Sequence, residues 1–186
     1  MRIVAGHLRH RKIEMTNLES TRETQDKVRQ AIYNMIGPYF DGGKCLDLFA
    51  GSGAMGFEAY SRGMEYIELN DINKEALSVC KLNAKNLGIK DIRFYNLDYL
   101  DYIEQCKTKF DLIILDPPYK MDDIDGIINS VYPLVEDNGL VVFEMGIESK
   151  FEEKYLQLEL IKNKEYGIKR VVIYRRYVCE WLFRVI

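Results

Sequence analysis

The chain has few residues of the kinds that mark disulfide frameworks and membrane spans. Its 186 residues include 4 cysteines, and Cys45, Cys80, Cys106 and Cys179 show no paired spacing. This favours buried thiols in a reducing compartment over a disulfide framework or a zinc site. No apolar run approaches the ~20 residues that span a bilayer, and no export signal follows Met1. We therefore expect a cytoplasmic protein that does not contact a membrane.

Histidine is also scarce, with 2 residues in the whole chain. His7 and His10 lie close together, but no further ligand nearby completes a metal site, so no metal is expected. The 186 residues, 47% of them hydrophobic, suffice for one full core and are too few for two ordinary domains. We predict a single domain over residues 1–186, acting as a monomer, with no linker or internal repeat.

Of the 4 prolines, two are adjacent in the motif Asp116-Pro117-Pro118-Tyr119, directly after the apolar run 110–115. Consecutive prolines stiffen the backbone and donate no N–H. The Asp116 carboxylate and the Pro117 carbonyl can each accept one N–H of an exocyclic amine, which aims the lone pair of its nitrogen at an electrophile. The ring of Tyr119 offers a face for an extruded base. The same four residues would also suit a plain turn at a strand end.

A glycine-rich loop, 51–56, follows the strand-like run 45–50 and opens a helical pattern. This is the dinucleotide fingerprint, and Asp71, 20 residues beyond Gly51, stands where an acid binds ribose hydroxyls. A nicotinamide cofactor is therefore one interpretation. Asp47, however, would repel a pyrophosphate, whereas it suits a cofactor with an ammonium and a sulfonium, as in S-adenosylmethionine.

Charge is distributed unevenly along the chain, although the net charge is only -3. Residues 1–40 and 162–186 are basic, and the middle is acidic. Arg2, Arg9, Arg11 and Lys12 form a basic cluster on a predicted hairpin around Gly6. They would hold phosphates of a nucleic acid, or they are an ordinary solvated terminus.

Hydrophobic periodicity predicts an α/β fold. Helices are predicted over 28–36, 54–62, 74–86 and 124–134, and strands over 45–50, 66–69, 92–96, 110–115 and 140–143. The segments 155–161 and 168–175 would add an antiparallel pair at one edge. This alternation predicts a doubly wound, mostly parallel, seven-stranded Rossmann-like sheet, preceded by an N-terminal hairpin and helix over residues 1–40. Ligands of such sheets gather at the carboxyl ends of the strands, where Asp98 would accept from an adenine amine or cap the next helix.

The motifs resemble those of the bacterial methyltransferases that act on the exocyclic N2 of a guanine in 16S ribosomal RNA. The resemblance rests on four segments, 2–6, 22–29, 46–53 and 116–119, and covers most of the chain. The opening strand and the segment 24–29 distinguish the family from other amino methyltransferases. Two positions depart from its pattern, since Asp71 replaces a glutamate and Glu23 a proline. The last ten residues, 177–186, extend past the expected end.

The resemblance implies S-adenosylmethionine as cofactor and 16S rRNA or the small ribosomal subunit as partner. The expected catalytic residues are Asp116, Pro117 and Tyr119. The expected cofactor-binding residues are Asp47, Phe49, Gly51, Ser52, Gly53, Asp71, Ile72 and Asp98. The expected RNA-binding residues are Arg2, Arg9, Arg11, Lys12 and Arg22.

Two other functions remain open from the sequence. An adenine-N6 DNA methyltransferase would use the same chemistry at Asp116, but 186 residues leave no room for a separate target-recognition domain. A non-catalytic RNA-binding assembly protein would need only the basic ends, and the intact Asp116 and glycine loop argue against it.

Overall fold

A computed structural model of the protein describes residues 1–16, 26–118, 120–121 and 123–178. Its helices are α1 Asp26–Ile36, α2 Ala54–Ser61, α3 Lys74–Leu87, α4 Tyr99–Gln105 and α5 Ile124–Val131, followed by a short 3-10 turn at Tyr132–Leu134. Its strands are β1 Lys44–Asp47, β2 Tyr66–Asn70, β3 Ile92–Tyr95, β4 Phe110–Leu115, β5 Val135–Gly146, β6 Lys154–Tyr155, β7 Leu158–Tyr166 and β8 Lys169–Arg176.

These strands form one mixed sheet in the order β3-β2-β1-β4-β5-β8-β7-β6. Strands β1 to β5 pair in parallel, and β5, β8, β7 and β6 pair antiparallel. The predicted α/β class and the antiparallel edge are thus confirmed. The described residues give eight strands rather than seven, because β6 adds a two-residue strand beside the start of β7.

The core lies on both faces of the sheet. On one face, β4 and β5 pack against α5, with Phe110, Ile128 and Phe143 fully buried. On the other face, α1 packs over β5 and β8 through Ile32 and neighbouring side chains. Strands covered on both sides explain the continuous apolar runs seen in the sequence. Among the described residues, no helix has both the length and the apolar character needed to cross a bilayer.

The amino-terminal segment forms a short version of the predicted hairpin. Arg2 and Lys12 form an antiparallel bridge, and backbone hydrogen bonds of 3.0 Å join the two arms on either side of it. The N–H groups of Val4 and Ala5 donate to the carboxylate of Glu58 on α2, at 2.8 and 3.0 Å. The first arm of the hairpin is therefore bound to α2 as well as to the second arm.

Buried charge fixes this segment to the helices. The carboxylate of Glu58 also pairs with Arg29 of α1 at 3.3 Å and with Arg62 at 2.8 Å, and all three side chains are almost fully buried. A buried carboxylate between two guanidinium groups is costly to break, since removal of one partner leaves an uncompensated charge. Glu58 therefore holds α1, α2 and the first five residues in a fixed arrangement.

Candidate active site

One cavity lies at the carboxyl ends of the central strands. It has a volume of about 200 Å³. Its wall contains seven of the residues predicted for the site, Phe49, Gly51, Asp71, Ile72, Asp98, Asp116 and Pro117. Sequence reasoning did not predict the other wall residues, Leu48, Asn70, Asn73, Leu97, Tyr99, Pro118 and Met121. The cavity thus brings the ends of β1, β2 and β4 and the loop after β3 together.

The glycine loop turns sharply between β1 and α2. Gly53 has a φ of 81° and precedes the first residue of α2. A Cβ atom at Gly53 would lie 2.5 Å from the ring of Phe57, so a larger residue would not fit. The positive φ also favours glycine, because other residues rarely adopt it. The loop backbone can therefore pass directly along the cavity wall.

Asp71 connects this loop to the end of β2. One carboxylate oxygen accepts from the N–H of Gly51 at 2.8 Å, and the other accepts from the N–H of Asn73 at 2.7 Å. Burial raises the pKa of Asp71, while these two hydrogen bonds oppose the rise. Each oxygen of a carboxylate has a further lone pair, so Asp71 can still accept from a ligand hydroxyl.

Asp47 lies behind the loop and is not part of the cavity wall. Its carboxylate accepts from the N–H of Gly56 in α2 at 3.0 Å. Burial raises the pKa of Asp47 to about 7; the Gly56 hydrogen bond lowers it and the charge of Asp71 adds to the rise. In the structure, this hydrogen bond joins the first turn of α2 to β1.

Ser52 and Gly53 also lie off the cavity wall. The carbonyl of Ser52 accepts from the side-chain amide of Asn83 at 3.0 Å. The same amide donates to the carbonyl of Glu14, which ties the amino-terminal segment to the glycine loop. The Ser52 hydroxyl is buried and has no hydrogen-bond partner in the described part of the chain.

Asn70 is a site residue that the sequence did not reveal. Its side-chain nitrogen donates to the carbonyls of Leu48 and Leu97, both at 3.2 Å, and its oxygen accepts from the N–H of Leu97. It therefore joins the ends of β1, β2 and β3 beside the cavity. The only sequence signal was a polar residue that ends an apolar strand run.

Asp98 caps α4, since its carboxylate accepts from the N–H of Leu100 at 2.9 Å. It also lies on the cavity wall, so both interpretations of this residue agree with its position. The rings of Tyr99 and Phe49 pack with centroids 5.6 Å apart, and both line the cavity. This end of the cavity is aromatic and carries one carboxylate.

The proline motif begins where β4 ends. Leu115 is fully buried, Asp116 is half-buried, Pro117 is buried and Pro118 is exposed. The carbonyl of Pro118 accepts from the N–H of Met121 at 2.8 Å, which turns the chain toward α5. Asp116 and Pro117 therefore face the same cavity as Asp71. Tyr119 lies outside the described residues.

Part of the basic amino-terminal segment lies near the opposite edge of the sheet, by the amino ends of the strands. Arg2, Arg9, Arg11 and Lys12 are all exposed. His7, within the same turn, borders a cavity with Tyr66 and Asp91, which stand at the amino ends of β2 and β3. The Arg11 guanidinium donates to the carbonyl of Asn86 in the last turn of α3, about 18 Å along that helix from its start. Arg22 lies outside the described residues.

A family model described as Conserved hypothetical protein 95 matches residues 1–175 of the chain. The chain belongs to this family. Among its curated relatives, YlbH of Bacillus subtilis, named as a candidate rRNA methyltransferase, is 38% identical over 95% of this chain and 99% of its own length. Ribosomal RNA small subunit methyltransferase D of Haemophilus influenzae is 32% identical, over 95% of this chain and 93% of its own. The resemblance found in the sequence is thus confirmed.

Solved structures of similar proteins share the fold. A conserved hypothetical protein from Streptococcus pyogenes is 35% identical with a TM-score of 0.76, over 80% of this chain and 94% of its own. A candidate methyltransferase from Escherichia coli, yhhF, is 26% identical with a TM-score of 0.86, over 96% of this chain and 99% of its own. The predicted doubly wound methyltransferase architecture is confirmed by these likenesses.

Proposed function

We propose that the protein transfers a methyl group from S-adenosylmethionine to the exocyclic N2 amine of a guanine in 16S rRNA. The observation that carries the proposal is the single cavity that Asp71, Asp116 and Pro117 share. A cofactor acid and an amine-orienting motif on one wall suit transfer between two ligands bound side by side. The names of the curated relatives support ribosomal RNA as the substrate. The choice of guanine N2 rests on the sequence resemblance.

The residues present fit S-adenosylmethionine. Asp71 offers carboxylate lone pairs to ribose hydroxyls, Asp98 offers an acceptor to an amine, and Phe49, Ile72 and Leu97 give apolar surface to a nucleoside base. Among the described residues, the wall carries carboxylates and no basic side chain. A pyrophosphate would be repelled there, whereas a cationic cofactor is attracted. When bound, the cofactor would supply an electrophilic methyl group: the amine nitrogen would bond to it as the carbon–sulfur bond of the sulfonium breaks, which leaves S-adenosylhomocysteine and releases one amine proton to solvent.

The chain's contribution to the reaction is orientation. The lone pair of a nucleobase amine is delocalised into the ring, so the amine is a weak nucleophile. The Asp116 carboxylate and the Pro117 carbonyl accept its two N–H bonds, and this directs the lone pair away from the acceptors and into the cavity. The two prolines keep the carbonyl in place because they fix the backbone φ angle.

The proposal is tested with labelled S-adenosylmethionine and three substrates: a 16S rRNA transcript, small ribosomal subunits that lack the modification, and duplex DNA. Nucleoside analysis should give N2-methylguanosine from RNA and no label in DNA. N6-methyladenine in DNA would favour the alternative methyltransferase. Binding of RNA without any methylated product, under conditions where the cofactor binds, would favour a non-catalytic RNA-binding protein.

A further inference from the structure

The edge strand β7 is open along most of its outer side. β6 pairs only with Leu158 and Glu159, at the start of β7. From residue 161 to Tyr166, β7 is paired with β8 alone in the described part of the chain. Lys162 and Lys164 are exposed within this stretch.

Both lysines project from the same face of the sheet. Lys162 pairs with Ile173, Lys164 with Val171, and Tyr166 with Lys169. Ile173 and Val171 belong to the core beneath α1, and side chains of directly paired residues share a face. Lys162, Lys164 and the half-buried Tyr166 therefore form a row on the α1 side of β7, which we call the lysine row.

The lysine row extends to the edge of the sheet that carries Asp116. In register, Leu115 of β4 pairs with Phe143, Phe143 with Val172, and Val172 with Asn163. This register puts Asn163 at the same level of the sheet as Leu115. Because β4 and β7 run in the same direction, the next residues, Lys164 and Asp116, are also level with each other. Three strand spacings separate them, which is about 14 Å.

The lysine row is uncompensated in charge. Lys169 pairs with Glu144, and Arg170 pairs with Glu165 at 2.6 Å. In the part of the chain that the structure describes, neither Lys162 nor Lys164 has an ion-pair partner. Exposed lysines beside an aromatic ring suit the phosphates and bases of a single-stranded nucleic acid.

We propose that the lysine row is a docking surface for the RNA strand that flanks the target nucleotide. The proposal rests on the proposed function and names a part of the substrate contact for that site. A nucleotide that reaches Asp116 carries its neighbours along the same edge of the sheet. A distance of about 14 Å corresponds to roughly four stacked nucleotides, at about 3.4 Å each along one strand. Lys162 and Lys164 would then neutralise two phosphates of the flanking strand.

The test compares K162A/K164A with a matched control, K107A/K109A. Lys107 and Lys109 are exposed lysines just before β4, at the amino edge of the sheet, so the control removes the same charge on the other side. Binding of a labelled 16S rRNA transcript is measured over a range of salt concentrations. Two lost phosphate contacts should flatten the slope of log affinity against log salt by about 1.4 to 1.8, with roughly 10-fold weaker binding near physiological salt. The control should keep the slope of the native protein.

Further readouts separate this surface from the chemistry. K162A/K164A should raise the KM for RNA and leave kcat and cofactor affinity unchanged, and K162R/K164R should restore binding. If the native protein binds the transcript but methylates nothing, the proposed function fails while the salt slopes still decide the docking surface. An unchanged slope in K162A/K164A would overturn the docking surface even if methylation is normal.

Lysines on an open strand also prevent association between sheet edges. Sedimentation of K162A/K164A therefore accompanies the binding measurement. A variant that self-associates and yet keeps the native salt slope would show that the two lysines only protect the edge, and this would overturn the proposal. A monodisperse variant with a flattened slope would support it.

Discussion

The carboxylate of Asp71 accepts a hydrogen bond from the backbone N–H of Gly51 at 2.8 Å. A residue at the end of β2 thereby fixes the first residue of the glycine loop that follows β1. The same carboxylate accepts from Asn73, the residue that caps α3. Asp71 therefore shapes the cavity as well as facing into it, and changes to it should affect the cofactor more than the target base.

Replacement of Asp71 by alanine should weaken S-adenosylmethionine binding by roughly 10- to 100-fold. Loss of a charged hydrogen-bond acceptor costs about 1.5–3 kcal/mol, and the loop loses its anchor as well. Titration calorimetry measures the effect. Glu75→Ala is the control, because it removes an exposed carboxylate nearby, in the first turn of α3. Equal affinities in the two variants, or tighter binding of NAD than of S-adenosylmethionine by the native protein, would contradict this assignment of the cavity.

Replacement of Asp116 by alanine should lower turnover by roughly 100-fold or more and leave cofactor affinity nearly intact. The carboxylate orients the amine, so its removal should slow methyl transfer and leave binding of the cofactor unchanged. Asp116→Asn retains one oxygen acceptor and should fall between the native protein and the alanine variant. Single-turnover kinetics with saturating RNA measures the rates. Native rates in Asp116→Ala would rule out the assigned role.

Local patterns predicted most of the elements, because apolar periodicity reports which residues face the core. They failed where a long-range contact decides the outcome. β5 begins at Val135, ahead of the apolar run at 140–143, because Val135 pairs with Phe110 across an irregular register. The hairpin around Gly6 is shorter than expected: Arg2 and Lys12 form a bridge, and the N–H groups of Val4 and Ala5 donate to Glu58, more than fifty residues away along the chain.

In the site, too, local sequence patterns predicted some residues, whereas the roles of others depend on long-range contacts. Gly51, Asp71 and Asp116 were predictable because each stands at the end of a strand-like run. Asn70 was not, since its role depends on which strands lie beside β2. The topology of the sheet, and not the distribution of charge along the chain, also decides at which edge each basic segment lies. Arg11 and Lys164 both belong to basic segments, yet Arg11 contacts the last turn of α3 near the amino edge, whereas Lys164 lies level with Asp116 at the carboxyl edge.

Asp47 should make stability depend on pH. Its folded-state pKa of about 7 lies above the ordinary value near 4, so the folded protein binds more protons than the unfolded chain between about pH 4 and 7. The stability that this residue contributes is therefore full below about pH 4, falls between about pH 4 and 7 by up to about 1.4 kcal/mol per pH unit, and changes little above pH 7. The free energy of unfolding of Asp47→Asn should not show this decline. The variant should therefore become more stable relative to the native protein as the pH rises. Urea unfolding without cofactor, from pH 4.5 to 8, measures the difference, and a constant gap between the two proteins would contradict the raised pKa.

RNA contact by the amino-terminal basic turn, Arg9 to Lys12, remains a prediction. The position of the turn allows a specific test of it. His7, beside the turn, borders a cavity at the amino ends of β2 and β3, and Arg11 donates to Asn86 at the end of α3, whereas Asp116 lies at the carboxyl edge. Strands of four to six residues separate the two edges by about 15 to 20 Å. At about 3.4 Å for each stacked nucleotide, an RNA that reaches both edges at once must extend roughly five nucleotides beyond the target nucleotide.

We expect the triple variant R9A/R11A/K12A to respond to RNA size. With a 16S rRNA transcript, loss of three phosphate contacts should flatten the slope of log affinity against log salt by about 2 to 3, without a change in cofactor affinity. With a strand that carries only two nucleotides on either side of the target guanine, roughly 7 Å of stacked length each way, the triple variant should bind as the native protein does, because the strand is too short to reach the turn. K162A/K164A should weaken binding of the transcript in the same assay, which makes it the matched comparison. If R9A/R11A/K12A leaves both slopes unchanged, the turn is a solvated surface and the RNA is held from the carboxyl edge only.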